Sequence, residues 1–248
     1  MRILILSDVH ANLEALQSVL ADALVRGGFQ AIWCLGDLVG YGPDPSACLA
    51  LLREYDLLAV AGNHDHAAIG QIDPNQFNNA AAEAARWTAT QLSPEEIAFL
   101  GSLPLIATSA PFTLVHGSLR APVWEYLLNQ ESALGTLNLL ETQFCLVGHS
   151  HLPFLCKENR GSPDFVDFTE DQVFSLDNER LDNERWIINP GGVGQPRDQD
   201  PRPSYAIYDS REATIERHRV VYEISTTQQK MLVAGLPQHL IDRLDHGI

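Results

Sequence analysis

Five short segments of the chain carry side chains that bind metals or transfer protons, and each directly follows a run of apolar residues. Their carboxylate, imidazole and amide groups are ligands for divalent transition metals, and imidazole also serves in acid–base catalysis. The residues are Asp8, His10, Asp37, Asn63, His64, Asp65, His116, His149 and His151. A lone histidine or aspartate in such a position is usually structural, but the same arrangement in five segments predicts a common site.

The spacing of these residues indicates how they come together. Asp8 with His10, and His149 with His151, are i, i+2 pairs, whose side chains point to the same side of an extended chain. In open α/β sheets, ligands bind beyond the carboxyl ends of the strands. We therefore expect the five segments to converge on one crevice at the ends of their strands.

The elements that must position the first three segments follow a regular alternation. Apolar runs at 3–6, 31–35 and 57–61 predict strands. Leucines at helical spacing from Leu13 to Leu24 predict one intervening helix, and Asp44 followed by Pro45 predicts the start of a second. A β-α-β-α-β order favours a parallel sheet covered by helices.

Strand signals come closer together in the second half of the chain, which favours partly antiparallel pairing. The predicted strands are 112–116, 144–148, 152–156, 164–168, 172–176, 186–190 and 204–209. Helices are predicted near 130–141 and 226–245, and residues 73–103 are predicted to form a helical insertion over the sheet edge. A tandem LDNER repeat at 176–185 is expected in an exposed hairpin loop. We expect one mixed α/β domain over 1–248.

Composition narrows the classes of partner. The formal net charge is −16, from 32 acidic and 16 basic residues, which argues against long nucleic acids but permits a small anionic substrate if bound metal supplies positive charge. The opening apolar run is too short for a signal peptide or a membrane span, so we expect a cytoplasmic protein without membrane contact. The four cysteines are far apart and are expected to be buried thiols. The sequence leaves open whether the protein forms a homo-oligomer.

Taken in order, the motifs D-x-H, G-D, G-N-H-D, V-H-G and G-H-x-H over residues 8–151 resemble those of the calcineurin-like metallophosphoesterase superfamily. Asn12, which extends the first motif to D-x-H-x-N, and the segment NPGGVGQPRD at 189–198 resemble its small bacterial phosphodiesterase branch. The resemblance implies a four-layer α-β-β-α sandwich, in which two mixed sheets are flanked by helices and the metal site lies at the carboxyl ends of the strands.

The resemblance also implies two divalent metal ions and assigns their ligands. Asp8, His10 and His151 would bind the first ion, and Asn63, His116 and His149 the second, with Asp37 bridging them. This mixture of ligands suits Mn²⁺, which we favour, or Fe²⁺, Zn²⁺ or Ni²⁺. The pair would activate a hydroxide that attacks phosphorus.

The remaining motif residues receive supporting roles by the same resemblance. His64 is the expected proton donor, and Asp65 is expected to assist by holding its loop. His66 falls outside the motif and is expected to be a bystander. The candidates for substrate contact are Asn12, Arg120, Asn189 and Arg197.

One stretch departs from the pattern. In GDLVGYG, Gly40 and Tyr41 stand where protein phosphatases and dinucleoside-polyphosphate hydrolases of the superfamily carry an acid and an arginine. This argues against phosphoprotein substrates. The expected activity is metal-dependent hydrolysis of small or nucleotide-like phosphodiesters. The alternatives are a phosphomonoesterase, a dinucleoside-polyphosphate hydrolase, or a non-catalytic protein-binding scaffold of the same fold.

Overall fold

Two six-stranded sheets form the centre of the molecule. The structure, a computed structural model, describes residues 1–159, 161–177 and 184–248, and the strands below are those of the described residues. They are β1 (Arg2–Leu6), β2 (Ala31–Cys34), β3 (Asp56–Ala59), β4 (Ile106–Ser109), β5 (Phe112–Val115), β6 (Phe144–Leu146), β7 (Phe154–Asn159), β8 (Ser162–Asp167), β9 (Val173–Ser175), β10 (Trp186–Asn189), β11 (Ser204–Asp209) and β12 (Thr214–Arg219).

Helices cover both sheets, and four of the eight helices of the described residues begin at a side-chain cap. Asn12, Asn78, Ser93 and Asn129 each accept a hydrogen bond from a backbone N–H of the first turn of the helix that follows. The helices of the described residues are α1 (Leu13–Val25), α2 (Pro45–Leu52), α3 (Asn63–Ala68), α4 (Asn79–Gln91), α5 (Pro94–Ser102), α6 (Gln130–Leu139), α7 (Ile224–Val233) and α8 (Gln238–Asp242). Short 3₁₀ turns occur at Pro74–Gln76 and Arg243–Asp245.

Both sheets are mixed. The first has the order β3-β2-β1-β11-β12-β9, and the second has the order β4-β5-β6-β10-β7-β8. The predicted parallel pairing of the first three strands is confirmed, since β1 pairs in parallel with β2 and β2 with β3. In the second sheet, β6 lies parallel to both β5 and β10, while β7 runs antiparallel to β10.

Three apolar layers hold the four structural layers together, as β1 illustrates. Ile3 and Ile5 point into the layer between the two sheets, where they meet side chains such as Phe112 and Phe144. Leu4 and Leu6 point the other way, into the layer beneath α1 and α2. A third layer packs α6 on the outer face of the second sheet. The predicted sandwich of two mixed sheets flanked by helices is confirmed.

The structure corrects several predicted boundaries. The helix expected at 226–245 is two helices, because Gly235 and Pro237 interrupt it between α7 and α8. Strands β4 and β12 were not predicted. The first is a half-exposed strand at a sheet edge, and the second buries Arg217, His218 and Arg219, so neither shows an apolar strand pattern.

Other expectations have mixed outcomes. Residues 73–103 contain a 3₁₀ turn with α4 and α5, and α4 contacts both α2 and α3. The four cysteines are buried free thiols, as expected. Most of the LDNER repeat lies outside the described residues. Among the described helices, none is long and apolar enough to cross a membrane.

Candidate metal centre

The five predicted segments meet at one end of the sandwich, where the strands that precede them finish. Strands β1, β2 and β3 are parallel, so the segments that follow them emerge at one edge of the first sheet, and β5 with β6 does the same in the second. The residues brought together are Asp8, His10, Asp37, Asn63, His116, His149 and His151. Each is at most 4% exposed, so the polar cluster is shielded from water.

Asp8, His10 and His151 form the first group of donors. The Nε2 atoms of His10 and His151 lie 3.2 Å apart, and Oδ1 of Asp8 lies 3.3 Å from Nε2 of His151. That Asp8 oxygen is buried and has no hydrogen-bond partner among the described residues, whereas Oδ2 accepts a hydrogen bond from Ser7. Donor atoms bound to one transition-metal ion at about 2.0–2.2 Å are separated by similar distances of roughly 3 Å.

Asn63, His116 and His149 form the second group. Nε2 of His116 lies 3.2 Å from Oδ1 of Asn63 and 3.1 Å from Nδ1 of His149. Asp37 lies between the groups: its Oδ2 is 3.3 Å from Nε2 of His116 and 3.6 Å from Nε2 of His10. The two groups therefore share one carboxylate.

Each of the four histidines has its other ring nitrogen next to a backbone carbonyl. The pairs are His10 with Val39 (3.2 Å), His116 with Leu35 (2.8 Å), His149 with Trp124 (3.3 Å) and His151 with Gln195 (2.5 Å). Carbonyls only accept hydrogen bonds, so each ring donates there, and its other nitrogen faces the cluster and offers a lone pair whenever the ring is neutral. Ring nitrogens that face one another at 3.1–3.2 Å need a proton or a metal ion between them, so the donor set fits divalent metal ions.

Burial and charge adjust the protonation of the cluster. Burial lowers the pKa of His149 to about 3 and the pKa values of His10 and His151 well below 6.5, so these rings are neutral, as metal ligands must be. Burial opposes charge on His116 and Asp37 too, but their mutual attraction, the hydrogen bond between them and other nearby charges together outweigh it. The pKa of His116 is raised to about 9, and the pKa of Asp37 is lowered well below 3.8.

The backbone of the cluster adopts an unusual conformation. The φ angles are 54° at Asp8, 48° at His10, 54° at Asp37, 63° at His149 and 57° at His151. Non-glycine residues in this left-handed region are uncommon, and each costs roughly 1–3 kcal/mol. Such strain concentrates at functional sites, where the surrounding structure enforces it.

His64 lies beside the cluster. Its backbone N–H donates to Oδ1 of Asp37 at 2.9 Å, and its ring is stacked 4.8 Å from Phe77 and packed 4.2 Å from Tyr41. Nδ1 of His64 is buried and has no hydrogen-bond partner among the described residues. Burial lowers the pKa of this imidazole to about 4.

Asp65 joins two of the site's loops. It accepts hydrogen bonds from the backbone N–H groups of Gly62 at 3.0 Å and Val39 at 3.1 Å. Its carboxylate therefore ties the loop after β2 to the start of α3. Both contacts suit the bracing role that the motif predicts for this residue.

Two glycines permit the close packing around these groups. A Cβ atom on Gly62 would lie 2.0 Å from Oδ1 of Asp37. Gly40 has a φ of +90°, and a Cβ atom there would lie 2.7 Å from Nδ1 of His64. The space that a side chain at position 40 would fill is thus occupied by the His64 ring, with Tyr41 packed against it.

Asn12 and Asn189 are occupied in holding loops. Asn12 caps α1 and donates to the carbonyl of Gly194 at 2.9 Å. Asn189 donates to the carbonyl of Gly148 at 2.9 Å and to Ser150 Oγ at 3.0 Å. Because both side chains are buried and hydrogen-bonded, their contacts support the backbone of the site.

The two candidate arginines differ. Arg120 pairs with Glu125 and Glu131, and none of its described contacts is with the cluster. Arg197 donates to Oε1 of Gln195 at 3.1 Å, and its guanidinium lies 6.0 Å from the ring of Tyr41. After burial, the charge of Arg197 is the next cause that lowers the pKa of His151, so this cation acts on the cluster.

Aromatic residues outside the predicted motifs also contact the site. Tyr126 stacks on His149 with ring centroids 3.9 Å apart, and Phe77 lies 5.5 Å from Trp124. The backbone carbonyl of Trp124 holds the His149 ring. Phe77 and Tyr126 were not predicted, because they stand in loops where no motif marks them.

Comparison with known proteins agrees with the geometry. The model of the calcineurin-like phosphoesterase superfamily domain matches residues 1–213. The crystal structure of a metallophosphoesterase from Sphaerobacter thermophilus is similar over 100% of this chain and 99% of its own, with 43% identity and a TM-score of 0.87. The uncharacterized protein MJ0912 of Methanocaldococcus jannaschii is 38% identical over 250 residues, which cover 99% of this chain and 98% of that protein. The hypothetical protein PH1004 from Pyrococcus horikoshii shares the fold, with a TM-score of 0.80 and 17% identity over 100% of this chain and 98% of its own.

Proposed function

The chain belongs to the calcineurin-like phosphoesterase superfamily, and from that membership we propose that it hydrolyses small or nucleotide-like phosphodiesters with two divalent metal ions. The observation that carries the proposal is the arrangement of the donors. Two groups of buried nitrogen and oxygen atoms share the carboxylate of Asp37, and the histidines in both groups are oriented by backbone carbonyls.

Each donor receives a role in this proposal. Asp8, His10 and His151 hold one ion, Asn63, His116 and His149 hold the other, and Asp37 contacts both. When bound, the ions supply Lewis acidity that polarises the phosphoryl group and makes water more acidic. Mn²⁺ is the favoured occupant, because mixed imidazole, carboxylate and amide ligands suit borderline divalent cations.

The chain's own cation and proton donor complete the proposed site. Arg197 can bind a phosphoryl oxygen, since only one of its two terminal nitrogens has a hydrogen-bond partner among the described residues. His64, whose backbone N–H contacts Asp37 and whose ring lies beside the cluster, is the proposed proton donor toward the leaving oxygen. Asp65 holds the loop that carries His64. The intact donor set argues against a non-catalytic scaffold.

Steady-state hydrolysis tests the proposal. Metal-stripped protein is reconstituted with Mn²⁺, Ni²⁺, Zn²⁺ or Mg²⁺ and assayed on bis(p-nitrophenyl) phosphate and on p-nitrophenyl phosphate. We expect Mn²⁺-dependent turnover with a higher kcat/KM on the diester. Asp37→Asn, which preserves side-chain shape, should lower kcat/KM by at least about 10²-fold, because it removes charge shared by both metal sites.

Two results would contradict the proposal. One is no hydrolysis of either ester by protein shown to contain two metal equivalents. The other is undiminished activity in the Asp37→Asn variant. Faster turnover of the monoester than of the diester would instead identify a phosphomonoesterase.

A further inference from the structure

A cavity of about 690 Å³ lies beside the candidate metal centre and has no role in the chemistry above. Three chain segments that contribute to the centre continue directly into its wall. Leu152 follows His151, and Asp198 follows Arg197. Leu127 follows Tyr126, which stacks on His149. Since consecutive Cα atoms are about 3.8 Å apart, the wall begins within one residue of the site at three places.

Apolar side chains form much of this wall. They are Leu127, Leu128, Leu152, Pro153, Phe154, Phe165 and Phe168. A volume within the ~300–1,000 Å³ range of small-molecule sites, with flat aromatic and branched aliphatic walls, suits the faces of a ring system. The cavity is therefore large enough for the organic part of a small phosphoester.

Arg217 supplies an unsatisfied donor at the wall. The residue is only 3% exposed, and its Nε donates to Ser204 Oγ at 3.0 Å. No carboxylate pairs with it, and neither terminal nitrogen has a hydrogen-bond partner among the described residues. Arg219, two residues away, is by contrast paired with Asp198 and Asp200. The terminal nitrogens of Arg217 are not fully enclosed, so they are accessible at the cavity wall, where a ligand can supply the missing acceptor.

The remaining charges decide what kind of acceptor is favoured. Asp167, Glu170, Asp198 and Asp200 also line the cavity, and they outnumber its two arginines even when Arg202, which pairs with Glu170 and Asp200, is added. A second negative charge on the ligand would be repelled, whereas an uncharged carbonyl or ring nitrogen would not. Oδ1 of Asp198 is buried without a hydrogen-bond partner in the described part of the chain and can accept an N–H from the ligand.

We propose that this cavity binds the nucleoside part of the substrate, an uncharged heterocycle with apolar faces and hydrogen-bonding groups on its edge, while the phosphoryl group lies at the metal centre. The ring faces contact the leucine and phenylalanine walls, the ring edge accepts from Arg217, and Asp198 accepts from the same edge. This inference rests on the proposed phosphodiesterase function and narrows its substrate class.

A variant at the rim tests the cavity without disturbing its buried charges. Leu128 is 54% exposed, so Leu128→Trp can fill the cavity from its surface side. The assay compares thymidine 5′-(p-nitrophenyl phosphate) with methyl p-nitrophenyl phosphate, which lacks the nucleoside. We expect the ratio of kcat/KM values, nucleoside ester over methyl ester, to fall at least about tenfold. Leu139→Trp, on α6 at the same 54% exposure but outside the cavity, should leave the ratio unchanged.

Arg217→Lys tests the donor itself, since lysine keeps the charge but loses the planar fork of N–H groups. We expect KM for the nucleoside ester to rise about tenfold, with a smaller change for the methyl ester. The melting temperature of each variant shows whether the fold is kept. If Arg217→Lys unfolds, the comparison of Leu128→Trp with Leu139→Trp still tests whether the cavity binds the nucleoside.

Binding measurements separate this inference from the proposed function. Saturation-transfer NMR with thymidine alone, on metal-free protein, requires no hydrolysis. If thymidine binds and Leu128→Trp abolishes binding, the cavity assignment stands even when the chain hydrolyses neither ester. The assignment is wrong if thymidine fails to bind, or if Leu128→Trp lowers activity on both esters equally. It is also wrong if Leu128→Trp changes only the sedimentation coefficient, because Leu128 would then lie in a contact between copies of the chain.

Discussion

At the scale of single residues, the backbone carbonyls decide how the histidines of the candidate metal centre act. His10, His116 and His151 direct Nε2 into the cluster, whereas His149 directs Nδ1 and gives Nε2 to the carbonyl of Trp124. Because each carbonyl holds one ring nitrogen, the other nitrogen is already oriented toward a cation. The protein therefore needs no ring rotation to bind metal.

His64 should prove essential to turnover but not to metal binding. We expect His64→Asn to lower kcat on bis(p-nitrophenyl) phosphate by about 10²–10⁴-fold, because it removes the proposed proton donor. Elemental analysis should show unchanged metal content. His66→Asn, two residues away, is the matched control and should change kcat by less than about twofold. Metal loss in the His64 variant would instead place that imidazole among the ligands.

The identities of the cluster residues could be predicted from the sequence, but their geometry could not. Asp8, Asp37 and His116 each stand at the end of an apolar run, and parallel strands must bring such positions together. The nitrogen each histidine uses depends on carbonyls at 35, 39, 124 and 195. No local pattern links those residues to the histidines. The hydrogen bonds by which Asn12 and Asn189 hold loops could not be predicted either, because their partners, Gly194 and Gly148, are distant in sequence.

At the scale of elements, the turns after the strands carry the site. The strands deliver the chain to one edge, and left-handed residues such as Asp8 and His149 then redirect it within one or two positions. Periodicity predicts the strands because it reflects burial. It does not predict left-handed turns at aspartate and histidine, since these are imposed by packing and by the loops that oppose them.

Gly62→Ala should damage this packing without straining the backbone, because Gly62 has an ordinary φ of −102°. The new Cβ atom would lie 2.0 Å from Oδ1 of Asp37 and 2.4 Å from its backbone nitrogen, so the loop after β2 must shift. We expect a loss of roughly 1–3 kcal/mol in the free energy of unfolding, together with weakened metal binding. Urea denaturation and elemental analysis measure the two effects.

Gly101→Ala provides the control for that substitution. Gly101 lies within α5, and the nearest atom to the added methyl group would be 3.6 Å away, an ordinary contact. Alanine should therefore raise the free energy of unfolding by about 0.5–1 kcal/mol through helix propensity. Equal effects at positions 62 and 101 would refute the steric explanation for Gly62.

At the scale of the whole molecule, the four layers follow from hydrophobic patterning, whereas β12 and the cavity do not. Strand β1 is apolar on both faces, which indicates its position between two layers. In β12, Arg217 and Arg219 are buried instead, so the strand resembles a surface segment in sequence. Sequence patterns predict where apolar surface is hidden, but they do not predict where charge is enclosed.

Metal binding should depend on pH in a defined direction. Without metal, the raised pKa of His116, about 9, means that this ring holds a proton at neutral pH beside Asp37. A cation must displace that proton, so the apparent affinity should rise with pH and level off above about 9. For one displaced proton the change is about tenfold per pH unit. Titration calorimetry with Mn²⁺ in buffers of different ionisation enthalpy counts the protons, and a pH-independent affinity would contradict this account.

The donor groups draw on both sheets at once. Asp8 and His10 come from the first sheet, and His151 comes from the second; Asp37 and Asn63 likewise face His116 and His149. Bound cations would thus cross-link the two halves of the sandwich. Dissociation of the cations would then be limited by the rate at which the two sheets separate. The rate of metal removal by a chelator should therefore reach a maximum that a higher chelator concentration does not raise. That maximum rate would measure how often the two sheets transiently separate.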